Sequence, residues 1–235
     1  MNNWKKIWES RKDNLDKIDK ENYREVFAEL KRIDGYDLNG GATTESLLKQ
    51  YENLKVALKL SAGETVFEVG CGAGAQLFLF ARDGFEIGGL DYSSTQIAIA
   101  KKVLPAASEL ICAGAEDLPT DKKYDAVFSN SVFQYFNDLA YAEHVLEKMF
   151  LKSRRSIAVL DVYDKAFEEE LIAERRRTIE NYDERYKGLP KIFYPRSFFE
   201  DFAARHDLSI HFAKNELENY GNAPYTYHVF MERRN

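Results

Sequence analysis

From residue 3 to about residue 32 the apolar side chains Trp4, Ile7, Trp8, Leu15, Ile18, Val26, Phe27 and Leu30 recur at spacings of three, four and seven among charged neighbours. That period predicts amphipathic helix. Asp34 and Gly35 stop the run. The loop GYDLNGG, residues 35 to 41, then leads to Thr43 or Thr44 as an N-cap, with Leu47, Leu48, Tyr51, Leu54, Leu58 and Leu60 spaced for a second helix. Residues 1 to 60 are therefore expected to form a helical cap.

At Ser61-Ala62-Gly63 the period changes. Short apolar runs, TVFEV (65 to 69), EIGGL (86 to 90), ELICA (109 to 113), YDAVFS (124 to 129) and SIAVLDV (156 to 162), alternate with helical stretches at Ala75 to Arg82, Ser94 to Val103 and Leu139 to Lys152. This is the signature of βαβ units feeding a parallel sheet. A charged stretch of helical period interrupts the alternation and predicts a lid insertion over 163 to 195. After Pro195 come a helix and two β-like runs whose link of about nine residues is too short for a crossover, so the last two strands should be antiparallel. The expected main domain, an α/β fold with a mostly parallel sheet, runs from 61 to 235.

Composition narrows the function. Of 235 residues, 45% are hydrophobic and 31% charged, as in a folded globular protein, and the formal charge is −6. Such a balance offers no general attraction to nucleic acid or an anionic membrane. The start, MNNWKKIWES, has no apolar region behind its positive charge, and no segment is long and apolar enough to span a bilayer. Cys71 and Cys112 are too few for a disulfide framework and are not spaced as a metal site, so a cytoplasmic protein without metal is expected.

The segment TVFEVGCGAGAQLFLFA carries the chemistry. An apolar strand and Glu68 precede Gly70, Gly72 and Gly74, and a helix follows. Glycines at the carboxyl end of a first parallel strand allow a tight turn and a close approach to a ligand, with helix N–H groups aimed at it. Gly70, Gly72 and Ala75 also satisfy the dinucleotide pattern G-x-G-x-x-G/A, so the glycines alone do not choose between adenosine cofactors. Asp91 ends the second strand, where a carboxylate accepts from both ribose hydroxyls of either. Glu68 discriminates, because a carboxylate there suits a positively charged α-amino group and repels a pyrophosphate.

With these residues in place, the sequence resembles the class I S-adenosylmethionine-dependent methyltransferases of small-molecule type. The resemblance rests on EVGCGAG (68 to 74), LDYSSTQIAIAKK (90 to 102), AEDLP (115 to 119) and YDAVFSNSVFQYF (124 to 136), and covers about residues 61 to 235. It implies a Rossmann-like seven-stranded sheet of order 3-2-1-4-5-7-6 and S-adenosylmethionine as cofactor, with S-adenosylhomocysteine as product. It also implies that the glycine loop (Gly70, Cys71, Gly72, Gly74) and Glu68 hold the methionine part, Asp91 the ribose, and Tyr92 the adenine face. Ala115 and Glu116 would meet the adenine edge, and Ser129 and Asn130 would leave the fourth strand beside the methionine. The loop with Asn39 and Gly40 looks like one that closes over the cofactor in small-molecule methyltransferases.

Two departures stand out. Where many relatives end the third strand in an Asp, this chain has Gly114, and in place of a Leu-Lys-Pro-Gly-Gly turn it has Leu151-Lys152-Ser153-Arg154-Arg155. No histidine is marked as catalytic, and Gln134 and Tyr135 stand where some relatives have His. Asp161, closing the fifth strand, is the candidate base. Gln134, Tyr135 and Tyr194 are candidates for the acceptor pocket, and the acceptor is expected to be a small molecule. Competing readings are an NAD-dependent dehydrogenase, a non-catalytic S-adenosylmethionine-binding module, and a helical partner-binding protein docking through Trp4, Ile7 and Trp8. The acceptor and the oligomeric state are not written in the sequence.

Overall fold

The computed structural model describes residues 3–234; residues 1, 2 and 235, the outer ends of the two expected segments, lie outside the described residues. Seven strands appear among them: β1 (Thr65–Val69), β2 (Glu86–Asp91), β3 (Glu109–Cys112), β4 (Tyr124–Asn130), β5 (Ser153–Tyr163), β6 (Leu208–Lys214) and β7 (Thr226–Arg233). They form one sheet in the order β3-β2-β1-β4-β5-β7-β6. The first five run parallel, and β7 lies antiparallel between β5 and β6. The expected order and terminal hairpin are the observed ones.

The central strands read as nearly unbroken apolar runs because helices cover both faces. On one face Val66, Ala126, Phe128 and Ala158 join a core with α2 (Tyr23–Ile33), α3 (Thr44–Ala57), α4 (Ala75–Arg82) and α5 (Ser94–Val103). On the other, Phe67, Val69, Val127 and Val159 pack with α6 (Leu139–Lys152) and α9 (Arg196–Arg205). Helix starts follow local chemistry: the side chains of Thr43, Ser93 and Asp138 accept from backbone N–H groups of α3, α5 and α6. Among the described residues no helix is long and apolar enough to cross a membrane.

The first amphipathic run is not one helix. It divides into α1 (Asn3–Glu9), a 3-10 turn at Leu15–Lys17, and α2. The reason is local, since residues 10 to 14 are all polar and their backbone is captured by other partners. The Asn14 amide donates to Glu29 at 2.6 Å, the Leu15 amide to Asp13 at 3.3 Å, and Arg32 donates to the Lys12 carbonyl at 2.7 Å. The break lets α1 swing across the sheet edge. Glu9 accepts from the Ser94 and Thr95 amides at the start of α5, and Trp4 donates from Nε1 to the Pro190 carbonyl at 3.0 Å. Burial opposes the charge on Glu9, but those Ser94 and Thr95 hydrogen bonds outweigh it and hold its carboxyl down at about 2. The 163 to 195 insertion is less helical than expected: α7 (Glu168–Thr178) and the single turn α8 (Tyr182–Arg185) are joined by irregular segments.

The unusual turn into β5 has a structural use. Helix α6 runs directly into Ser153, and Lys152, 0% exposed, points inward over the Phe67 ring. Its Nζ donates to Glu109 at 2.8 Å and to the carbonyls of Pro119 and Lys122 at 3.0 and 3.3 Å, tying β3 and the β3–β4 connection to α6. Replacing Lys152 with Met leaves a carboxylate and two carbonyls without their donor. Lys152→Met is expected to cost about 3 kcal/mol, the scale for breaking a buried ion pair. Urea unfolding would show it as a lower midpoint at constant slope, and an unchanged midpoint would mean that the lysine is replaceable.

Candidate functional site

The carboxyl ends of β1, β2 and β4 meet at one edge of the sheet, where open parallel sheets bind ligands. There the Gly70 and Cys71 amides both donate to the Leu90 carbonyl, at 2.7 and 2.9 Å, locking the glycine loop to the end of β2. The next two amides go to carboxylates: Gly72 donates to Asp91 Oδ2 at 3.0 Å and Ala73 to Asp34 Oδ1 at 3.1 Å. Gly72 has φ +52°, and a Cβ on it would stand 2.5 Å from Asp34 Oδ1. The glycine is thus required by conformation and by the closeness of the N-terminal cap.

The loop borders a cavity of about 320 Å³, large enough for a small organic ligand. Its walls carry four carboxylates, Asp34, Glu68, Asp91 and Glu116, against the lysines Lys5 and Lys31. Glu68 is 4% exposed and its Oε2 has no hydrogen-bond partner. Lys31, 2% exposed, lies over the rings of Tyr36 and Phe27 at 4.8 and 5.9 Å and makes no ion pair among the described residues. Burial pushes the Asp34 and Asp91 carboxyls up to about 6 and the Glu68 carboxyl well above the usual range, despite Lys31 nearby. Burial lowers Lys31. Burial, then Asp91, also raises the Cys71 thiol, which leaves it protonated and suits it to packing.

Most of the expected cofactor residues line this cavity: Glu68, Gly70, Cys71, Gly72, Asp91, Tyr92, Ala115, Glu116 and Asn130, with Gly114 between the strand and the Ala115 turn. Glu116 is held by the Tyr141 hydroxyl. Four other expectations need correction. Gly74 does not reach the cavity, and its missing Cβ makes room for Leu104, 2.7 Å away. Ser129 is wholly buried, donating to the Val69 carbonyl at 2.8 Å. Asn39 and Gly40 are exposed, because Asp37 gathers their amides into a turn directed outward. It is Asp34, at the end of α2, and Tyr36 of the same loop that enter the site.

Of the acceptor candidates, Tyr135 lines the cavity, but Gln134 and Tyr194 do not. Gln134 is buried and accepts the Ile192 amide on its backbone carbonyl, and Tyr194 is a core residue whose hydroxyl donates to the Phe133 carbonyl at 2.7 Å. Asp161 is also set back. A bulge between Val159 and Val162 gives it φ +57° and turns its carboxylate toward Asn215, Tyr220 and Ser131, at 3.0, 2.8 and 2.7 Å. Only Ser131, which bonds Tyr36 at 3.2 Å, stands at the cavity wall.

Sequence reasoning missed Lys5, Trp8, Lys31, Asp34, Tyr36, Ser131 and Val132, all cavity residues. A signal existed for two of them: Phe27, Leu30, Lys31 and Asp34 fall at i, i+3, i+4 and i+7, so two charges sit on the apolar face of α2. An uncompensated charge on a buried face marks a site more often than a surface.

The residues present fit a cofactor with a positive charge. Glu68 offers an orphaned carboxylate oxygen, and the wall is acidic, which would repel a pyrophosphate. Asp91 spends one lone pair of each oxygen on the Gly72 and Ser93 amides and keeps others for hydroxyl donors. Among the described residues no cluster suits a metal ion.

A family model described as a methyltransferase domain matches residues 67–150. Malonyl-(acyl-carrier protein) O-methyltransferase of Priestia megaterium is 39% identical over 77 residues, 32% of this chain and 28% of that protein, so the match spans under a third of that relative's length. Among solved structures, the plantazolicin methyltransferase BpumL in complex with SAH is similar with TM-score 0.60 and 17% identity, over 98% of this chain and 94% of that one. Magnesium protoporphyrin IX methyltransferase from Synechocystis PCC 6803, with bound SAM, has TM-score 0.59 and 15% identity over 81% of each chain. The glycine loop, the acidic cavity and the strand order agree with these likenesses: residues 67–150 carry a methyltransferase domain, and the chain has the seven-stranded fold of the solved S-adenosylmethionine-dependent methyltransferases.

Proposed function

We propose that this protein transfers a methyl group from S-adenosylmethionine to an oxygen, nitrogen or carbon nucleophile of a small-molecule acceptor. The observation that carries the reading is the buried Glu68 carboxylate with an unpartnered oxygen, two residues before the glycine loop and facing the same cavity as Asp91. Such a carboxylate is costly unless a cation completes it. When bound, the cofactor supplies an electrophilic methyl group on a sulfonium, which leaves as a neutral thioether.

The chain's own residues bind and orient. Glu68 accepts from the α-ammonium, Asp91 from the ribose hydroxyls, Tyr92 covers the adenine face, and Ala115 and Glu116 meet its edge. Trp8, Tyr36 and Tyr135 wall the side open to the acceptor. Residues 1 to 60 act as a cap and 163 to 195 as a lid, which together exclude water. Orientation of this kind supplies roughly 7–11 kcal/mol, more than the about 10²–10⁴-fold of a positioned base. Asp161 touches no reacting atom and acts through Ser131, as a positioning residue.

The net charge of −6 argues for a small molecule over nucleic acid as acceptor. Unpaired Cys71 and Cys112 fit a reducing cytoplasm.

Calorimetric titration should give micromolar affinity for S-adenosylhomocysteine and no binding of NAD; the reverse result would replace the reading by a dehydrogenase. Asp91→Asn keeps the size and removes the charge, and its affinity for S-adenosylhomocysteine should fall by about 1.5–3 kcal/mol, the scale of hydrogen bonds to a charged group. Unchanged affinity in that variant would remove Asp91 from the ribose. Burial raises the Asp34 and Asp91 carboxyls to about 6, and a ligand that brings hydroxyl donors and a positive charge favours their ionised forms. Affinity should therefore fall as the pH drops from 7 to 5, with proton release on binding near pH 6 in buffers of different ionisation enthalpy. A flat profile without proton release would mean that the carboxylates do not meet the ligand.

A further inference from the structure

A second cavity, about 180 Å³, lies between the end of β5 and the lid. Two cations converge in it on one oxygen. Arg175 of α7 donates from Nη2 to the Tyr163 hydroxyl at 2.7 Å, and Lys191 donates from Nζ to the same oxygen at 3.0 Å. A neutral phenol oxygen has two lone pairs, so both are taken. The phenol proton has no acceptor among the described residues.

The cavity contains more positive charge than its walls neutralise. No carboxylate pairs with Arg175 or Lys191 among the described residues, and the two acidic wall residues are engaged outside: Glu168 with Lys165, Asp183 with Arg176 at 3.0 Å. Burial, and then the nearness of Arg175, depresses Lys191 to about 7. What holds the ammonium there is aromatic: it lies over the rings of Trp4, Tyr135 and Tyr163 at 5.4, 5.2 and 5.0 Å. Three donors, the guanidinium, the ammonium and the phenol, share a pocket that lacks an anion.

We propose that this pocket binds the carboxylate of a small organic acid, and that the methyl acceptor is such an acid; the acceptor part rests on the function proposed above. Arg175 Nη2 is shared between the Tyr163 hydroxyl and Asn222 Oδ1, each at 2.7 Å, so a carboxylate meets the guanidinium through its remaining N–H groups together with the Lys191 ammonium, and the Tyr182, Tyr186 and Phe193 walls take a flat apolar body. Tyr135 connects the two sites. Its ring lines the cofactor cavity while Lys191 lies over it, so a molecule held by its carboxylate at Lys191 is one aromatic ring away from that cavity.

Benzoate and its neutral isostere benzamide, titrated into the full chain by ligand-observed NMR with S-adenosylhomocysteine present, test this. Benzoate should bind, and benzamide should bind at least about tenfold more weakly, the worth of one lost charge-assisted contact. Lys191→Met and Arg175→Met should each weaken benzoate by about tenfold or more while leaving the affinity for S-adenosylhomocysteine within about twofold, and Lys191→Arg should largely restore binding. Equal binding of benzoate and benzamide, or benzoate binding unchanged in both Met variants, overturns the proposal and leaves the cofactor reading standing. Wild-type protein that takes benzoate at this pocket but no S-adenosylhomocysteine overturns the acceptor role and the cofactor reading together.

Discussion

Three carboxylates, half-buried Asp34 and buried Glu68 and Asp91, surround one cavity, and much of the site's architecture can be understood as a way of tolerating them. Each comes from a different element: the end of α2, the end of β1 and the end of β2. Asp34 and Asp91 are stabilised by consecutive amides of the glycine loop, so the loop's shape and the carboxylates' positions are one problem with one solution. Glu68 receives no such donor. Lys31 supplies the nearest compensating charge, at the expense of being buried itself, and the result is a cavity whose carboxylates hold protons more tightly than they would in water. Such a wall is matched to a cation that arrives and leaves.

What was legible in the sequence follows from how local each signal is. Strand positions, the glycine turn and Asp91 belong to a single βαβ stretch whose period and punctuation are read within about 30 residues. Helices α4, α5 and α6 span the stretches that the apolar spacing marks out, Ala75–Arg82, Ser94–Val103 and Leu139–Lys152. The N-terminal contribution was harder, because Asp34 meets Gly72 across 38 positions and only the fold shows which loop residues turn inward. Asn39 and Gly40 do not line the cavity: Asp37 closes a turn there, and the chain's approach to the cavity happens earlier, at Asp34 and Tyr36.

Asp161 shows a different failure. Its place at the end of β5 is as expected, but position along a parallel strand fixes direction only while the pleat is regular. The bulge beside it reverses that, and Asn215 and Tyr220, from the β6–β7 connection, hold the side chain in its turned position. Bulges of this kind leave no mark in hydrophobic period. The same connection supplies Asn222 to Arg175, so the terminal hairpin braces both the end of β5 and the 163 to 195 insertion.

Helix α1 has only seven residues, too few to persist alone in water. It is kept in place by what it touches, Glu9 on α5, Trp4 on the Pro190 carbonyl, and Lys5 and Trp8 over the Tyr92 and Tyr135 rings. Lys5 and Trp8 also form part of the cavity wall. That wall can therefore be withdrawn by a local fraying event that leaves the sheet and both cores intact. Access past that wall is thus tied to the contacts of one short helix rather than to the sheet.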